Sequence, residues 1–366
     1  MKTWVTAAIA ALMFVVAACG DPAGLSEGVP SVAASVERGF PIGILMPESK
    51  TSRYEMFDRP LLTQRLQQLC PKCEILYQNA GQDSTAQQNQ AEALVTGGGV
   101  RVLILDAVNS TSASAIVRNA KSQGAAVVAY DRLPSGPVDY YVSHDGERIG
   151  QVQGQALLNA LRAGGDPKRG QIVMINGSAT DPNAALLKRG AHSVLDGHVT
   201  IGREYDTPDW SPDRAQQEME QAITALGRDS IIGVYAANDG TAAGAIAALK
   251  GAGFATLPPV TGQDAELSGI QRILAGEQYM TVYKSLKREA DIAAKMAIAA
   301  ATGAQYRDTP TQMVSNGSVE VPSVLLEPYT VTKNNVASVI IANGIYTADE
   351  ICTAEYRQAC RQAGIT

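Results

Sequence analysis

Short apolar runs alternate with longer amphipathic segments along most of the chain. Residues 41–46 (PIGILM), 73–78 (CEILYQ), 100–105 (VRVLIL) and 125–130 (AAVVAY) are apolar, and helical spacing follows each of the first three. Apolar runs of this length that alternate with helical segments indicate a parallel sheet. Because crossovers between parallel strands are right-handed, these units predict a doubly wound α/β lobe.

A second set of the same kind begins near residue 145. Its apolar runs are 171–176, 199–205 and 231–237, and a PPVTGQD turn follows at 258–264. The chain therefore predicts two similar α/β lobes. A helical segment and the stretch 319–332 come after both sets, and we expect them to cross back between the lobes. The spacing predicts helices over residues 53–69, 84–96, 110–123, 146–163, 184–195, 212–226, 240–251, 266–275 and 286–301.

Polar residues at the starts of several helices predict their caps. Ser84 is expected to cap the second helix, and Ser211 is expected to cap the helix that has Pro212 at its first position. Asp239 is expected to cap the helix over 240–251.

Three polar groups close consecutive apolar runs in the second set. They are Asn238, Asp264 and Lys284, an amide, a carboxylate and an ammonium. In open parallel sheets, ligands bind outside the carboxyl ends of the strands. The sequence therefore places these three groups at the rim of one crevice.

The first 39 residues predict export. Lys2 precedes an apolar core over 5–16, and small residues lead to Cys19, as in a secretory signal that resembles the lipobox of bacterial lipoproteins. The alternative is an ordinary signal peptide with an incidental cysteine. We expect a signal peptide over 1–18 and, over 19–39, a lipid anchor at Cys19 followed by a flexible tether rich in Gly, Pro, Ser and Ala.

Composition and motifs exclude several classes of function. The net charge of the 366 residues is -6 and no basic stripe occurs, which argues against nucleic acid as a partner. The sequence has neither a phosphate-binding GxxxxGK[ST] loop nor a GxSxG or HExxH motif. The three histidines are scattered and predict no metal site. We therefore expect no enzymatic activity and no cofactor.

The cysteines other than Cys19 form two close pairs. Cys70 and Cys73 end a helical segment instead of opening one, so we expect a local structural disulfide; a redox or metal site is the alternative. Cys352 and Cys360 would lie roughly 12 Å apart on an unbroken helix, beyond the reach of a disulfide. If they pair, the C-terminal segment must break between them.

Four stretches of the chain are similar to the monosaccharide-binding proteins of bacterial ABC importers, closest to the D-xylose-binding and multiple-sugar-binding group. They are VVAYDRL (127–133), YYVSHDGERIGQVQGQAL (140–157), ANDGTAAGAIAAL (237–249) and TGQDAELSGIQRILAGEQYMTVYK (261–284). The resemblance covers about residues 41–345. It implies two α/β lobes joined by three hinge crossings, with one sugar in the cleft between them. We expect one lobe from 40–144 plus 285–320, and the other from 145–284 plus 321–366.

The resemblance implies the ligand contacts, and sugar chemistry gives each a reason. A pyranose has hydroxyls around its rim, which need multidentate hydrogen-bond partners, and apolar faces, which need flat surfaces. Each polar residue alone has an ordinary explanation as a helix cap or a surface charge, and the tryptophan alone as core packing. The residues expected to contact the rim are Asp131, Arg132, Asn183, Asn238, Asp264 and Lys284, and the two expected to stack on the faces are Phe57 and Trp210.

One region departs from the family pattern. The xylose-binding group places an arginine directly before the first aromatic, whereas this chain has Met56 before Phe57 and Arg53 one helical turn earlier. Methionine cannot bond a hydroxyl, so the sugar is left open. A deoxy sugar, another pentose or hexose, and a sugar alcohol are all compatible.

The resemblance implies a monomeric, extracytoplasmic protein. It would close over a monosaccharide and dock on a membrane permease whose ATPase drives import. A sensor of the same fold that signals to a membrane receptor is the main alternative. An enzyme would need an activated nucleophile or a metal, and a sugar-responsive transcription regulator would carry a DNA-binding unit instead of the signal.

Overall fold

Strands and helices alternate along the chain as its hydrophobic pattern predicts, and they form two lobes. The computed structural model describes residues 34–309 and 312–365. The predicted signal segment, Cys19 and most of the predicted tether lie outside the described residues. No helix in the described ranges is both long and apolar enough to cross a membrane.

The sheet of the first lobe has seven strands among the described residues. They are β1 (Pro41–Met46), β2 (Glu74–Asn79), β3 (Val102–Leu105), β4 (Ala126–Tyr130), β5 (Tyr140–His144), β10 (Gln312–Ser315) and β11 (Glu320–Leu326). The order is β10-β11-β5-β4-β3-β1-β2, and only the β10–β11 pair is antiparallel. Because the central strands are parallel and in register, their carboxyl ends meet at one edge of the sheet.

Helices cover both faces of this sheet. They are α1 (Arg59–Leu69), which follows a π-helical turn (Tyr54–Asp58), α2 (Ser84–Glu92), which leads into a second π-helical turn (Ala93–Gly97), α3 (Ala113–Ser122) and α9 (Leu286–Thr302). One buried cluster lies between the sheet and α1 and α9, and a second lies between the sheet and α2 and α3. Strands buried on both faces explain the nearly continuous apolar runs.

The second lobe has a smaller parallel sheet. Its strands are β6 (Gln171–Asn176), β7 (Thr200–Asp206) and β8 (Ile231–Ala236), in the order β7-β6-β8, and a separate antiparallel pair joins β9 (Met280–Tyr283) to β12 (Tyr329–Thr332). The helices are α4 (Gly146–Gly164), α5 (Pro182–Leu195), α6 (Pro212–Leu226), α7 (Asp239–Gly251), α8 (Leu267–Ala275), α10 (Ala348–Ile351) and α11 (Arg357–Gln362), with 3-10 turns at Pro208–Trp210 and Arg228–Ser230 and a π-helical turn at Ala337–Ile341.

The chain crosses between the lobes after β5, after β9 and after β11. The sequence did not predict β5, which pairs with β4 and so extends the first sheet to His144. It also placed the last boundary at residue 320. That boundary is wrong by six residues, because Glu320–Leu326 is itself a strand that pairs with β5 in the first lobe.

Each of the three predicted side-chain caps, those of α2, α6 and α7, differs in the structure. Asp83, not Ser84, caps α2, and its Oδ1 accepts hydrogen bonds from the backbone N–H groups of Thr85 at 2.7 Å and Ala86 at 3.0 Å. Ser211 occupies the cap position of α6 with Pro212 next to it, but its side chain makes no capping hydrogen bond. α2 begins at Ser84, so Asp83 occupies the cap position, and Ser84 is already the first residue of the helix.

Both predicted cysteine pairs form disulfides. Cys70 and Cys73 are joined at a Cα–Cα distance of 5.3 Å, at the end of α1. Cys352 and Cys360 are joined at 5.9 Å. As the sequence predicts for such a pair, the C-terminal segment breaks between them, because α10 ends at Ile351 and α11 begins at Arg357.

Candidate functional site

A polar cavity lies between the two lobes, at the carboxyl ends of their strands. Its lining comes from both lobes and from the crossing after β9. It brings together seven of the eight predicted contact residues, namely Asp131, Arg132, Asn183, Trp210, Asn238, Asp264 and Lys284. Phe57 is the exception. The first-lobe residues of the set and the second-lobe residues therefore face each other across the cleft.

Asp131 follows β4 and has a left-handed backbone with φ of 58°. Its Oδ1 accepts a hydrogen bond from Nη1 of Arg53 at 3.1 Å and lies 3.8 Å from Nζ of Lys284. Burial acts to raise the pKa of Asp131, but the charges of Arg53, Lys284 and Arg132 outweigh burial and hold this pKa well below its usual range. Asp131 is therefore a fixed negative charge in the floor of the cavity.

Arg132 spans the cleft from the first lobe. Its side chain is 2% exposed, and its Nε lies 2.9 Å from Oδ2 of Asp181 in the second lobe. Its Nη2 donates to the hydroxyl of Tyr54 at 3.1 Å. A planar guanidinium held in this way presents its remaining N–H groups in a fixed direction, which suits adjacent oxygens on a ligand.

Asp181 was missed by the sequence analysis, although it caps α5 directly before Pro182. Its Oδ2 accepts from Nε1 of Trp210 at 3.1 Å and is also the partner of Arg132. The side chain therefore orients both the guanidinium and the indole. A carboxylate that precedes a proline at a helix start is the sequence signal that could have found it.

Trp210 is 6% exposed and packs against Gly177, which follows β6. A Cβ on Gly177 would lie 2.1 Å from Cη2 of the indole, so only glycine allows this contact. The indole is thus fixed by backbone on one side and by its hydrogen bond to Asp181. Such a flat, fixed aromatic surface is able to contact an apolar ligand face.

Asn183 and Asn238 contribute amides from the second lobe. Nδ2 of Asn183 donates to the backbone carbonyl of Asp131 at 2.9 Å, across the cleft. Oδ1 of Asn238 accepts from the N–H of Thr241 at 2.8 Å, so Asn238 caps α7. This corrects the prediction that Asp239 is the cap.

Asp239 lies beneath the cavity instead. Its carboxylate accepts hydrogen bonds from the side chain of Gln278 at 2.6 Å, from Thr281 at 3.0 Å and from the N–H of Glu266 at 2.9 Å. Burial raises the pKa of Asp239 to about 7. Asp239 therefore fixes the segment that carries Asp264.

Asp264 and Lys284 form an ion pair at the hinge side of the cavity. Nζ of Lys284 lies 2.9 Å from Oδ1 of Asp264, and both side chains are less than a tenth exposed. Burial and the charge of Arg53 act to lower the pKa of Lys284, but Asp264 and Asp131 outweigh them and raise it. Because Lys284 immediately follows β9, this ion pair joins the cavity to a crossing between the lobes.

Phe57 lies outside the cavity, contrary to its predicted stacking role. Its ring packs edge-on against Tyr346, with centroids 5.7 Å apart, in the apolar cluster of the C-terminal segment. Tyr54 lines the cavity in its place, and the residue before Tyr54 is Arg53. An arginine directly before an aromatic residue is therefore present as Arg53–Tyr54, three residues before the Met56–Phe57 position expected from the sequence.

Arg53 is held in a network of three carboxylates behind the cavity. Its Nε and Nη2 contact Asp58 at 2.7 and 3.0 Å, and Nη2 also donates to Glu289 at 3.2 Å. The third carboxylate is that of Asp131. Because these carboxylates neutralise its charge, the Arg53 guanidinium acts chiefly to fix Asp131. Met56, which the sequence places directly before Phe57, is exposed to solvent.

Comparisons with known proteins agree with this architecture. The family model described as a periplasmic binding protein domain matches residues 42–305. The chain is 34% identical over 316 residues to the D-xylose-binding periplasmic protein of Escherichia coli (strain K12), covering 85% of this chain and 92% of that protein. It is 32% identical over 328 residues to the multiple sugar-binding periplasmic receptor ChvE of Rhizobium radiobacter, with 85% and 92% covered.

Two solved structures are also similar. One is an ABC transporter solute-binding protein from Clostridium phytofermentans with bound β-D-glucose, with a TM-score of 0.78, 27% identity, and coverage of 85% of this chain and 99% of that one. The other is a carbohydrate transporter solute-binding protein from Chloroflexus aurantiacus in complex with D-glucose, with a TM-score of 0.74, 29% identity, and coverage of 84% and 97%.

Proposed function

The chain belongs to the periplasmic binding protein family, and we propose on that basis that it captures a xylose-like pentose or a related hexose and delivers it to an ABC permease. It is an extracytoplasmic solute-binding protein for monosaccharides or polyols and does no chemistry of its own. The observation that carries the proposal is the cavity between the lobes, where seven predicted contact residues converge.

The charges around the cavity favour a neutral ligand. Three carboxylates, of Asp131, Asp181 and Asp264, face one guanidinium and one ammonium, those of Arg132 and Lys284. A sugar acid or a sugar phosphate would add negative charge to a site that already has an excess of it, in a region of low dielectric. Hydroxyls, in contrast, donate to carboxylates and accept from the cations.

Unpaired polar atoms further support a ligand rich in hydroxyls. Within the described chain, Oδ1 of Asn183 and Oε1 of Gln263 are buried and have no hydrogen-bond partner, and both residues line the cavity. Leaving such atoms unpaired costs about 1–3 kcal/mol each. A bound polyol would satisfy them, which favours binding in the closed arrangement.

Titration with sugars tests the proposal. The chain has two tryptophans, Trp4 and Trp210, so protein expressed without residues 1–18 reports on the cleft alone. We expect a saturable change in fluorescence with D-xylose or D-glucose, and its loss in Asp264→Ala. Neither a fluorescence change nor a thermal shift with any pentose, hexose or polyol would contradict the proposal.

We further propose a lipid anchor at Cys19. The support is the run of small residues before this cysteine in the sequence. Full-length protein expressed in a bacterial host should incorporate labelled fatty acid and fractionate with membranes. Cys19→Ser should abolish both, with Cys352→Ser as the control cysteine variant; equal labelling of Cys19→Ser and unaltered protein would contradict the anchor.

A further inference from the structure

His144 is a buried histidine that the proposed contacts do not use. It is the last residue of β5, where the chain first crosses between the lobes, and its side chain is 1% exposed. It lines the cavity together with Asp131 and Lys284. The residue therefore belongs at once to a crossing between the lobes and to the wall of the site.

Neither ring nitrogen of His144 makes a hydrogen bond to any part of the chain that the structure describes. Nδ1 lies 3.4 Å from Oε2 of Glu289, a fully buried carboxylate on α9, without the geometry of a hydrogen bond. Nε2 has no polar partner among the described residues. Buried side-chain nitrogens are nearly always paired, so a buried imidazole with two free nitrogens calls for a partner.

His192 shows what a paired histidine looks like in the same chain. Its Nδ1 lies 2.8 Å from Oδ1 of Asp196, and its Nε2 lies 3.0 Å from Oε1 of Glu204. It is also more exposed than His144, with 27% of its side chain accessible. The histidine with the greater need of partners is thus the one without them, and it faces the cavity.

We propose that His144 is a ligand-contacting residue that selects for a hydroxyl on the hinge side of the sugar. Glu289 favours the tautomer with the proton on Nδ1, because a small rotation of the ring turns the 3.4 Å contact into a hydrogen bond. Nε2 is then an acceptor, and a hydroxyl of the ligand donates to it. This inference rests on the proposed function.

A contact with Arg53 holds the carboxylate of Glu289 in place. Its Oε2 already accepts from Nη2 of Arg53 at 3.2 Å, so the carboxylate cannot move freely toward the imidazole. The ring must therefore adjust to the carboxylate, which fixes the direction of Nε2. A ligand without the matching hydroxyl would leave this nitrogen unpaired and would bind more weakly.

Binding measurements on full protein variants test the contact. D-xylose, D-glucose and myo-inositol are titrated by calorimetry, and the tightest binder is carried forward. We expect His144→Phe to weaken it about three- to tenfold, the loss of one net hydrogen bond, and His144→Gln to weaken it less. His198 is exposed, so His198→Phe is the matched control and should bind as the unaltered protein does.

Monodeoxy versions of that ligand identify the hydroxyl. One deoxy sugar should bind unaltered protein more weakly than the parent sugar does. His144→Phe should bind that deoxy sugar and the parent sugar equally, because the variant lacks the side chain that accepts the hydrogen bond. If every deoxy sugar loses the same factor in both proteins, the proposed contact is wrong. Equal affinity of His144→Phe and unaltered protein for the parent sugar overturns it as well.

Nitrogen NMR gives a readout that a structural role would not move. The chain has three histidines, so His144→Gln assigns the ring resonances of His144 directly. Saturating sugar should shift its Nε2 resonance in the direction of an accepted hydrogen bond and leave that of His198 unchanged. An unshifted His144 in protein that binds the sugar refutes this contact alone, whereas no binding of any sugar refutes the proposed function.

Discussion

Single residues in the cavity depend on one another through buried charge. Arg53, Asp131 and Lys284 are each less than a tenth exposed, and each faces at least two opposite charges. A buried ion pair adds little stability compared with apolar residues, but removing one partner leaves the other uncompensated. Substitutions at these residues should therefore affect stability and binding together.

Asp131→Asn is the sharpest test of this coupling. The change keeps the shape of the side chain but removes a negative charge that lies 3.1 Å from Arg53 and 3.8 Å from Lys284. Because Arg53 keeps two carboxylates and Lys284 keeps one, we expect the free energy of unfolding in urea to fall by about 2 kcal/mol, less than for a buried pair whose remaining charge has no other partner.

An exposed ion pair supplies the control for Asp131→Asn. Asp308 pairs with Lys295 at 2.9 Å, but its side chain is 56% exposed. Asp308→Asn should lower the free energy of unfolding by less than about 1 kcal/mol. If the two variants are equally stable, Asp131 does not have the role in balancing charge that its contacts indicate.

At the scale of elements, the π-helical turn Tyr54–Asp58 decides which aromatic side chain faces the cavity. Its hydrogen bonds run from residue i to i+5, so residues three apart no longer share a face as they do in an α-helix. Tyr54 consequently lies in the cavity, whereas Phe57 lies against Tyr346. π-helical turns of this kind occur often at functional sites.

Alanine substitutions in the turn should separate the two aromatics. Tyr54→Ala removes the hydroxyl between Arg132 and Asp131, and we expect it to weaken sugar binding at least tenfold by calorimetry. Phe57→Ala should cost threefold or less, since the ring meets the C-terminal segment and not the cavity. Met56 is 55% exposed, so Met56→Ala is the control. A larger loss for Phe57→Ala than for Tyr54→Ala would restore the stacking role predicted from the sequence.

A carboxyl group at the start of α8 should make the stability of the protein depend on pH. Glu266 precedes this helix, next to Asp239 and Asp264, and its Oε1 accepts from the N–H of Ser52 in the first lobe at 3.4 Å. Burial, with the charges of Asp239 and Asp264, raises the pKa of Glu266 to about 8 from 4.5. The protonated form of Glu266 is thus favoured in the folded state.

The sign of this dependence follows from the raised pKa. The contribution of protonated Glu266 to the free energy of unfolding is fully present below about pH 4.5 and is lost as the pH rises to about 8. We expect the melting temperature of unaltered protein to fall over this interval more than that of Glu266→Gln, measured by calorimetry in matched buffers. Parallel curves for the two proteins would show that folding does not raise the pKa of Glu266.

Hydrophobic pattern predicted the elements better than it predicted the exact contacts. The alternation of apolar runs and helical segments was sufficient to predict two α/β lobes. The positions of the strand ends were sufficient to predict that Asn238, Asp264 and Lys284 lie together. Single residues at irregular backbone were harder, because local spacing does not contain the extra residue of a π-helical turn. Tyr54 was missed for this reason. Asp181 was missed because a residue at a helix cap has an ordinary explanation in the sequence, and its contacts with Arg132 and Trp210 join residues that are distant along the chain.

At the scale of the whole molecule, the lobes touch directly across the cleft. Arg132 contacts Asp181 at 2.9 Å, and Asn183 bonds the carbonyl of Asp131 at 2.9 Å. These contacts join groups that are also expected to bind the ligand. A ligand shifts an equilibrium between open and closed forms only through its differential affinity, so direct contacts between the lobes set the starting point of that equilibrium.

Asp181→Ala should therefore open the free protein. Without this carboxylate, Arg132 loses its ion-pair partner in the second lobe. Among the described carboxylates, only that of Asp106 then remains close to Nε of Arg132, at 3.5 Å. We expect a larger radius of gyration by small-angle X-ray scattering for the free variant than for unaltered protein. Saturating D-glucose or D-xylose should reduce the radius of both, at a higher sugar concentration for the variant.

Asp213 on α6 is exposed and provides the matched control. Asp213→Ala should scatter as unaltered protein does, with and without sugar. If Asp181→Ala also keeps the compact radius while its affinity falls, the carboxylate acts on the ligand alone and the lobes close without it. If its radius increases in the free state, closure and recognition depend on the same ion pair, and the ligand binds by replacing contacts that the protein already makes with itself.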